Sequence, residues 1–339
     1  MKLAVFAFSR RGLDTARRAA AALEWEECRL YAPARLAGEG FEAVTGPLAD
    51  FAGPVFRWAD GMVFVSSCGI AVRAVAPHLR DKTCDPAVLA ADETGRFVVP
   101  LLSGHIGGAN RLARRLAASL GAVAVVTTAT DVHGKFSVDA WAVEQGLYID
   151  DMKAARAVSA AILEGPVPLA SDFPLAGALP SGVVPGEEGA VGVCISWRRR
   201  SPFARTLLLV PRAVRLGLGC RRGTGREAVA AAVRSALEEN GIHPAAVKGC
   251  ASIDLKRDEP GLLAFCRERG WPLTFYSAQE LERAEGDFTP SEFVREVTGV
   301  DNVCERAALL GAEKLIVRKT AGHGVTVAAA VEHWEVRFG

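Results

Sequence analysis

The chain has 339 residues, 50% hydrophobic and 23% charged; at roughly 100–200 residues per domain this predicts two or three domains with real cores and excludes wholesale disorder. Lys and Arg number 40 against 39 Asp and Glu, a net charge of +1, which excludes a broad basic surface for non-specific nucleic-acid binding. An anionic partner must then be gripped by local clusters, and Arg, which supplies 32 of the 40 cations, is the better fork for carboxylates.

In chain order, residues 3–8 form an apolar run that fits a buried strand and is too short for a signal h-region or a membrane span; Arg10 and Arg11 follow this run instead of preceding it. The spacing predicts a helix over 12–23, a strand at 28–31, a helix at 51–58, a strand at 61–66, a helix at 70–78, strands at 87–91 and 97–102, an amphipathic helix at 110–120 and a strand at 123–127. Such alternation predicts a mainly parallel α/β sheet covered on both faces, with ligands at the carboxyl ends of its strands.

Helices are expected at 135–145 and 151–163. Residues 165–189, rich in Pro, Gly and Ala, predict an irregular stretch before strands at 191–197 and 206–210, so the middle reads as a small α+β module with Arg198-Arg199-Arg200 on a solvated turn. A second α/β pattern begins at 213: strand 213–218, a glycine loop, helix 226–240, helix 262–269, strand 273–276, helix 304–310, and strands at 314–318, 324–330 and 333–338. The eight Cys form no CxxC pair and no His stands at zinc spacing from any of them, so reduced thiols and a cytoplasmic protein are expected, with no metal site.

Leu101-Leu102-Ser103-Gly104-His105-Ile106-Gly107-Gly108-Ala109-Asn110 carries the densest chemistry. It ends a strand and opens a helix, where free N–H groups favour an anion, and His105 titrates near neutrality. The plain alternative is a strand-to-helix turn with Ser103 as N-cap. Ser67-Cys68-Gly69 up to Arg73, the charged loop Arg80-Asp81-Lys82-Thr83-Cys84-Asp85-Pro86, and Thr127-Thr128-Ala129-Thr130-Asp131 all follow or precede strands, and Gly69, His105 and Asp131 are expected on one sheet edge. Near the carboxyl end, Gly217-Leu218-Gly219-Cys220-Arg221-Arg222-Gly223-Thr224 misses the dinucleotide fingerprint by one residue and is no P-loop, but sets Arg221 and Arg222 beside exposed N–H groups. Cys220 has no His near it in sequence and makes a poor candidate nucleophile.

Together these segments resemble the CbiG family of anaerobic cobalamin biosynthesis, over nearly the whole chain. Gly69-Ile70-Ala71-Val72-Arg73, Asp81-Lys82 with Asp85-Pro86, the string at 101–110 and Thr127-Thr128-Ala129-Thr130-Asp131 match the family's amino-terminal domain. The glycine-arginine loop, Ser252, Asp254, Lys256 and Glu259, and residues 299–308 match its carboxyl-terminal domain, which also occurs alone as the CobE-type protein.

The resemblance implies two α/β domains, 1–133 and 212–339, flanking the small middle module 134–211. It implies cobalt-precorrin-5A hydrolase activity: opening of the ring-A δ-lactone of a cobalt-bearing, ring-contracted tetrapyrrole and departure of the extruded meso carbon as acetaldehyde. His105 would be the base or the acid, Asp131 a rival base and Asn110 an orienting group, with the Gly107, Gly108 and Ala109 N–H groups facing the oxyanion. Arg73, Lys82, Arg221 and Arg222 would clamp peripheral carboxylates. Gly69, Asp85, Ser103, Gly104, Thr128, Gly219, Cys220, Ser252, Lys256 and Glu259 would complete the substrate-binding set. The protein would need no cofactor of its own, since cobalt arrives in the macrocycle, with at most an axial contact from His105, His133 or His323. Its partners would be the corrinoid and neighbouring enzymes of the pathway, with no nucleic acid and no membrane. Two other readings stay open: a non-catalytic corrinoid carrier, and a nucleotide- or phosphosugar-binding α/β enzyme.

Overall fold

A computed structural model describes residues 1–81 and 84–338. Lys82, one of the expected clamps, lies outside the described residues. The chain divides into two compact units, Met1–Val143 and Glu144–Gly339.

The first unit runs β1 (Lys2–Ala7), α1 (Arg10–Ala21), β2 (Glu27–Pro33), β3 (Phe41–Val44), α2 (Leu48–Trp58), β4 (Gly61–Val65), α3 (Cys68–Val75), β5 (Ala87–Ala91), β6 (Phe97–Leu102), α4 (Ala109–Leu120), β7 (Val123–Ala124), α5 (Ala129–Val132) and α6 (Val138–Glu144). Its seven strands lie in the order β3-β2-β1-β4-β5-β6-β7. Every residue of β4 and β5 is buried, which is why these strands read as unbroken apolar runs: both faces of the sheet are covered. One face packs against α1 and α4 through Leu3, Val5, Ala16, Leu112 and Leu116, the other against α2 and α3 through Phe6, Phe64, Ala52 and Ala74. In α4 the buried residues Ala109, Leu112, Ala113, Leu116, Ala117 and Leu120 recur at helical spacing. Burial of each Leu contributes about 1.5–3 kcal/mol, enough for α4 to hold the loop before it in place. The short strand β3 carried no clear sequence signal, and only Val123–Ala124 of the expected strand 123–127 pairs in the sheet.

One departure from the expected topology relocates the site. The first five strands in sheet order are parallel, but β6 pairs antiparallel with β5, and β7 then runs parallel to β6. Asp92 closes the hairpin between β5 and β6: its Oδ1 accepts the Arg96 and Phe97 N–H groups, each at 2.7 Å, and its Oδ2 accepts that of Thr94 at 3.1 Å. The carboxyl end of β6 therefore lies at the edge where β4 and β5 begin, with Leu102 opposite Val88. Ser103, His105, Thr128 and Asp131 emerge at that edge, whereas Gly69, which follows β4, emerges at the other. The expectation that Gly69 joins His105 on one edge is corrected: a five-residue strand, about 16 Å long, separates the two ends.

The second unit contains β8 (Tyr148–Ile149), α7 (Met152–Glu164), β9 (Val167–Ser171), β10 (Leu175–Ala176), β11 (Val183–Pro185), β12 (Val191–Ile195), β13 (Arg205–Val210), β14 (Val214–Cys220), α8 (Arg226–Glu239), β15 (Val247–Ile253), α9 (Pro260–Arg269), β16 (Leu273–Tyr276), α10 (Ala278–Glu282), α11 (Glu292–Thr298), α12 (Cys304–Leu309), β17 (Lys314–Gly322), β18 (Val325–Val331) and β19 (Val336–Arg337). It carries two five-stranded sheets, β11-β9-β12-β13-β8 and β16-β15-β14-β18-β17, and a two-stranded pair, β10-β19. The stretch 165–189 is more regular than its Pro and Gly suggest, because β9 and β11 pair in parallel there. Of the expected strand 333–338, only Val336–Arg337 forms.

Candidate active site

The loop between β6 and α4 is built by contacts that only small residues permit. Ser103 takes a left-handed φ of 56°. The Ala109 N–H then donates to Ser103 O (3.0 Å), the Asn110 N–H to Gly104 O (3.0 Å) and the Gly108 N–H to His105 O (2.9 Å). At Gly107 a Cβ would stand 2.3 Å from Ser103 Cβ and 3.2 Å from Asp85 O, and at Gly104 a Cβ would stand 2.8 Å from Asn110 Oδ1. These glycines let the loop fold onto itself and onto the segment preceding β5.

This changes the reading of the helix start. The loop's own carbonyls occupy the Gly108 and Ala109 N–H groups, so two of the three expected oxyanion donors are already bonded within the loop. Ser103 is not the N-cap of α4; Gly108 holds that position with φ 78°.

The closed loop presents His105 to two carboxylates. Its Nε2 lies 3.4 Å from Asp131 Oδ2 and its Nδ1 3.3 Å from Asp139 Oδ1. Asn110, buried on α4, donates from Nδ2 to Asp131 Oδ2 (2.8 Å) and to the Thr128 hydroxyl (2.9 Å), while Arg114, one turn on, donates to Asp131 Oδ1 (2.6 Å). Asp139 lies in the first turn of α6, its side chain 7% exposed. Its Oδ1 accepts the Ser137 hydroxyl and the Ala140 N–H, each at 3.0 Å.

The charges reinforce one another. The hydrogen bond to Asp139 raises the His105 pKa above its ordinary value; desolvation opposes this, and the Asp139 and Asp131 charges add to it. Burial works against ionisation of Asp139, yet the His105 ring, Ser137 and the Ala140 N–H together hold its carboxyl below the usual range. Burial likewise opposes the charge on Asp131, and Arg114, Asn110 and His105 outweigh it. The arrangement favours an imidazolium between two carboxylates, a group suited to giving a proton to a departing oxygen.

His105, Asn110, Thr128 and Asp131 are thus assembled, with Ser103, Gly104, Gly107 and Gly108 as their scaffold. Asp85 stands beside this loop, but its carboxylate accepts the Arg80 N–H, both oxygens at 3.2 Å, and so shapes the turn before β5. Arg73 is exposed on α3. Asp139 and Arg114 were missed. The available signal for Asp139 was its place three residues before Ala142, which puts an acid on a buried helix face; nothing in the spacing ties it to His105.

In the second unit the expected glycine loop begins later than the sequence suggests. Gly217 and Gly219 lie within β14, where a Cβ would stand 1.8 Å from Cys304 O and 2.5 Å from Thr326 Oγ1, respectively. They admit neighbouring elements, not a phosphate, and the nucleotide reading loses its basis. In the turn that follows, the Arg221 N–H donates to Gly324 O (3.0 Å) and the Gly223 N–H to Glu259 Oε2 (2.9 Å), while Lys256 Nζ donates to Glu259 Oε1 (3.0 Å). Ser252, fully buried, donates to Leu218 O (2.7 Å). Ser252 and Glu259 therefore brace the loop, with Lys256 paired to Glu259, and the loop exposes the side chains of Arg221 and Arg222. Burial pushes the Cys220 thiol up, with Lys256 a smaller opposing influence, which disfavours a nucleophile.

Among the described residues no three of His, Cys, Asp and Glu are grouped to hold a metal ion, and no helix is long and apolar enough to cross a membrane.

Three family models match the chain: Cobalamin synthesis G N-terminal over residues 50–131, Cobalamin biosynthesis central region over 136–211, and Cobalamin synthesis G C-terminus over 214–330. The chain is 34% identical to the cobalt-precorrin-5A hydrolase of Salmonella typhimurium strain LT2, covering 98% of each. It is 32% identical to the cobalt-precorrin-5A hydrolase of Priestia megaterium, over 82% of this chain and 80% of that one. Protein CobE of a Sinorhizobium species is 40% identical over 119 residues, which are 34% of this chain and 77% of that protein.

Proposed function

Because the chain belongs to the cobalamin synthesis G family, we propose that it is a cobalt-precorrin-5A hydrolase and that the His105 centre performs the reaction. The observation that carries the assignment of the site is His105 held between two carboxylates at 3.3 and 3.4 Å. Water attacks the carbonyl of the ring-A δ-lactone, and Asp131, ionised, takes its proton. His105, as imidazolium, gives a proton from Nε2 to the ring oxygen as the acyl C–O bond breaks, and Asp131 returns its proton to the imidazole. The freed hydroxyl then loses its proton and becomes the carbonyl of acetaldehyde. The carbon–carbon bond to the macrocycle breaks, and its electron pair passes into the conjugated ring, which takes up a proton.

Cobalt enters as part of the substrate, and the protein's own residues handle protons only. Arg73 and Lys82 on the first unit, and separately Arg221 and Arg222 on the second, are cations suited to carboxylates at the periphery of a corrinoid. The eight free cysteines suit a reducing cytoplasm, and enzymes handling the preceding and following corrinoids are the expected partners.

The test is acetaldehyde release by the purified protein and by His105→Ala. A fall in kcat of about 10²-fold or more is expected from loss of the proton donor; unchanged turnover removes His105 from the chemistry. The match of the carboxyl-terminal part to CobE favours a second reading, in which that part holds corrinoid without reacting. A visible spectral shift on corrinoid addition with no acetaldehyde from the intact protein would establish the carrier role.

A further inference from the structure

Resting on the assignment of His105 to the lactone chemistry, we propose that Asp139 is its positioning residue, which fixes the imidazole through Nδ1 so that Nε2 is the nitrogen that exchanges a proton at the site. Asp139 belongs to the segment matched by the central-region model, eight residues beyond the end of the amino-terminal match. The structure nevertheless places it in the first compact unit, with Oδ1 3.3 Å from Nδ1 of His105.

The carboxylate is itself held. Ser137 Oγ and the Ala140 N–H both donate to Oδ1 at 3.0 Å, so rotating the side chain away from His105 breaks two hydrogen bonds. A nearly buried carboxylate is costly unless it is hydrogen-bonded and paired, and the imidazolium supplies the pairing. The two acids around the ring have different surroundings. Asp131 is tied to Arg114 and Asn110 and faces Nε2; Asp139 faces Nδ1, away from the nitrogen assigned to substrate. The role is that of an orienting carboxylate behind a catalytic imidazole.

Among the described residues, Asp139 from α6 and Asp131 from α5 stand within ion-pair distance of His105, and Arg114 from α4 pairs with Asp131. Removing the Asp139 charge takes away the carboxylate at Nδ1, and Asp131, at Nε2, is already committed to the Arg114 guanidinium. The His105 proton then leaves at lower pH, and a reaction that needs it as proton donor loses its alkaline limb at correspondingly lower pH.

The experiment uses the full chain with labelled histidine, comparing the unaltered protein with Asp139→Asn. Two readouts are taken: the NMR titration midpoint of His105, assigned with His105→Gln, and kcat and KM for acetaldehyde release across pH. The expected result for Asp139→Asn is a lower His105 midpoint, a kcat reduced by about 10²-fold or more, a KM within about threefold, and an alkaline limb shifted to lower pH. An unchanged His105 midpoint together with an unchanged limb overturns the proposal, whatever the loss of activity. If His105→Ala itself turns over normally, the reading of the site fails, and this is distinguished from failure of the Asp139 role alone, in which His105→Ala is inactive and Asp139→Asn behaves as the unaltered protein. Should near-ultraviolet circular dichroism show Asp139→Asn unfolded, Ser137→Ala is read in its place. A kcat reduced severalfold with the limb moved the same way supports the role, and an unchanged profile overturns it.

Discussion

At the scale of single residues, the His105 centre ties protonation to folding. The His105 pKa is raised above 6.5 in the folded chain, so its contribution to stability is complete below that value and is lost as pH rises through the folded one. Asp131 and Asp139 are lowered below 3.8; their contributions are present above that value and are lost as pH falls through the folded ones. The first unit is therefore expected to be most stable between the lowered carboxylate values and the raised His105 value, and its urea midpoint should decline as pH rises through the latter with a slope absent from His105→Gln. An identical slope in both proteins would contradict the coupling. His105, Asn110 and Asp131 were legible in the sequence because each sits in a string of small residues beside a strand. Asp139 was not, because an isolated acid in a short helix looks like a surface charge until the chain is folded.

At the scale of elements, the strands of the first sheet other than β3 could be read from their apolar runs, with β7 shorter than its run suggests, and the helix boundaries fell within a few residues. The direction of β6 could not. Both β5 and β6 read as short buried strands, and the reversal rests on Asp92 and the turn it closes, a feature too local to mark a hairpin among parallel neighbours. In the sequence the glycines point to ligand approach, whereas in the fold Gly107 and Gly217 mark places where chain meets chain. Gly107→Ala is therefore expected to cost on the order of 1–3 kcal/mol, as overpacking does, because its Cβ would stand 2.3 Å from that of Ser103. It should also reduce turnover by displacing His105. Urea unfolding and acetaldehyde release check both effects, and a variant of normal stability would show that the loop is slack.

At the scale of the whole molecule, the two compact units each bury a core of their own, and a single two-state transition is not expected of such a chain. Gly217→Ala places a Cβ 1.8 Å from Cys304 O, where β14 meets α12. It should lower a transition that Gly107→Ala leaves in place, and calorimetry of the two variants resolves this; a joint shift in both would show one cooperative unit. The centre around His105 is drawn from residues on either side of the join between the amino-terminal and central family models, which end at 131 and begin at 136. That has a consequence for how such chains are shuffled. A recombination event, or a cloning cut, made at this join would part His105 from Asp139 while leaving both family patterns intact. The heritable unit of the site is the stretch from the first strand through Val143.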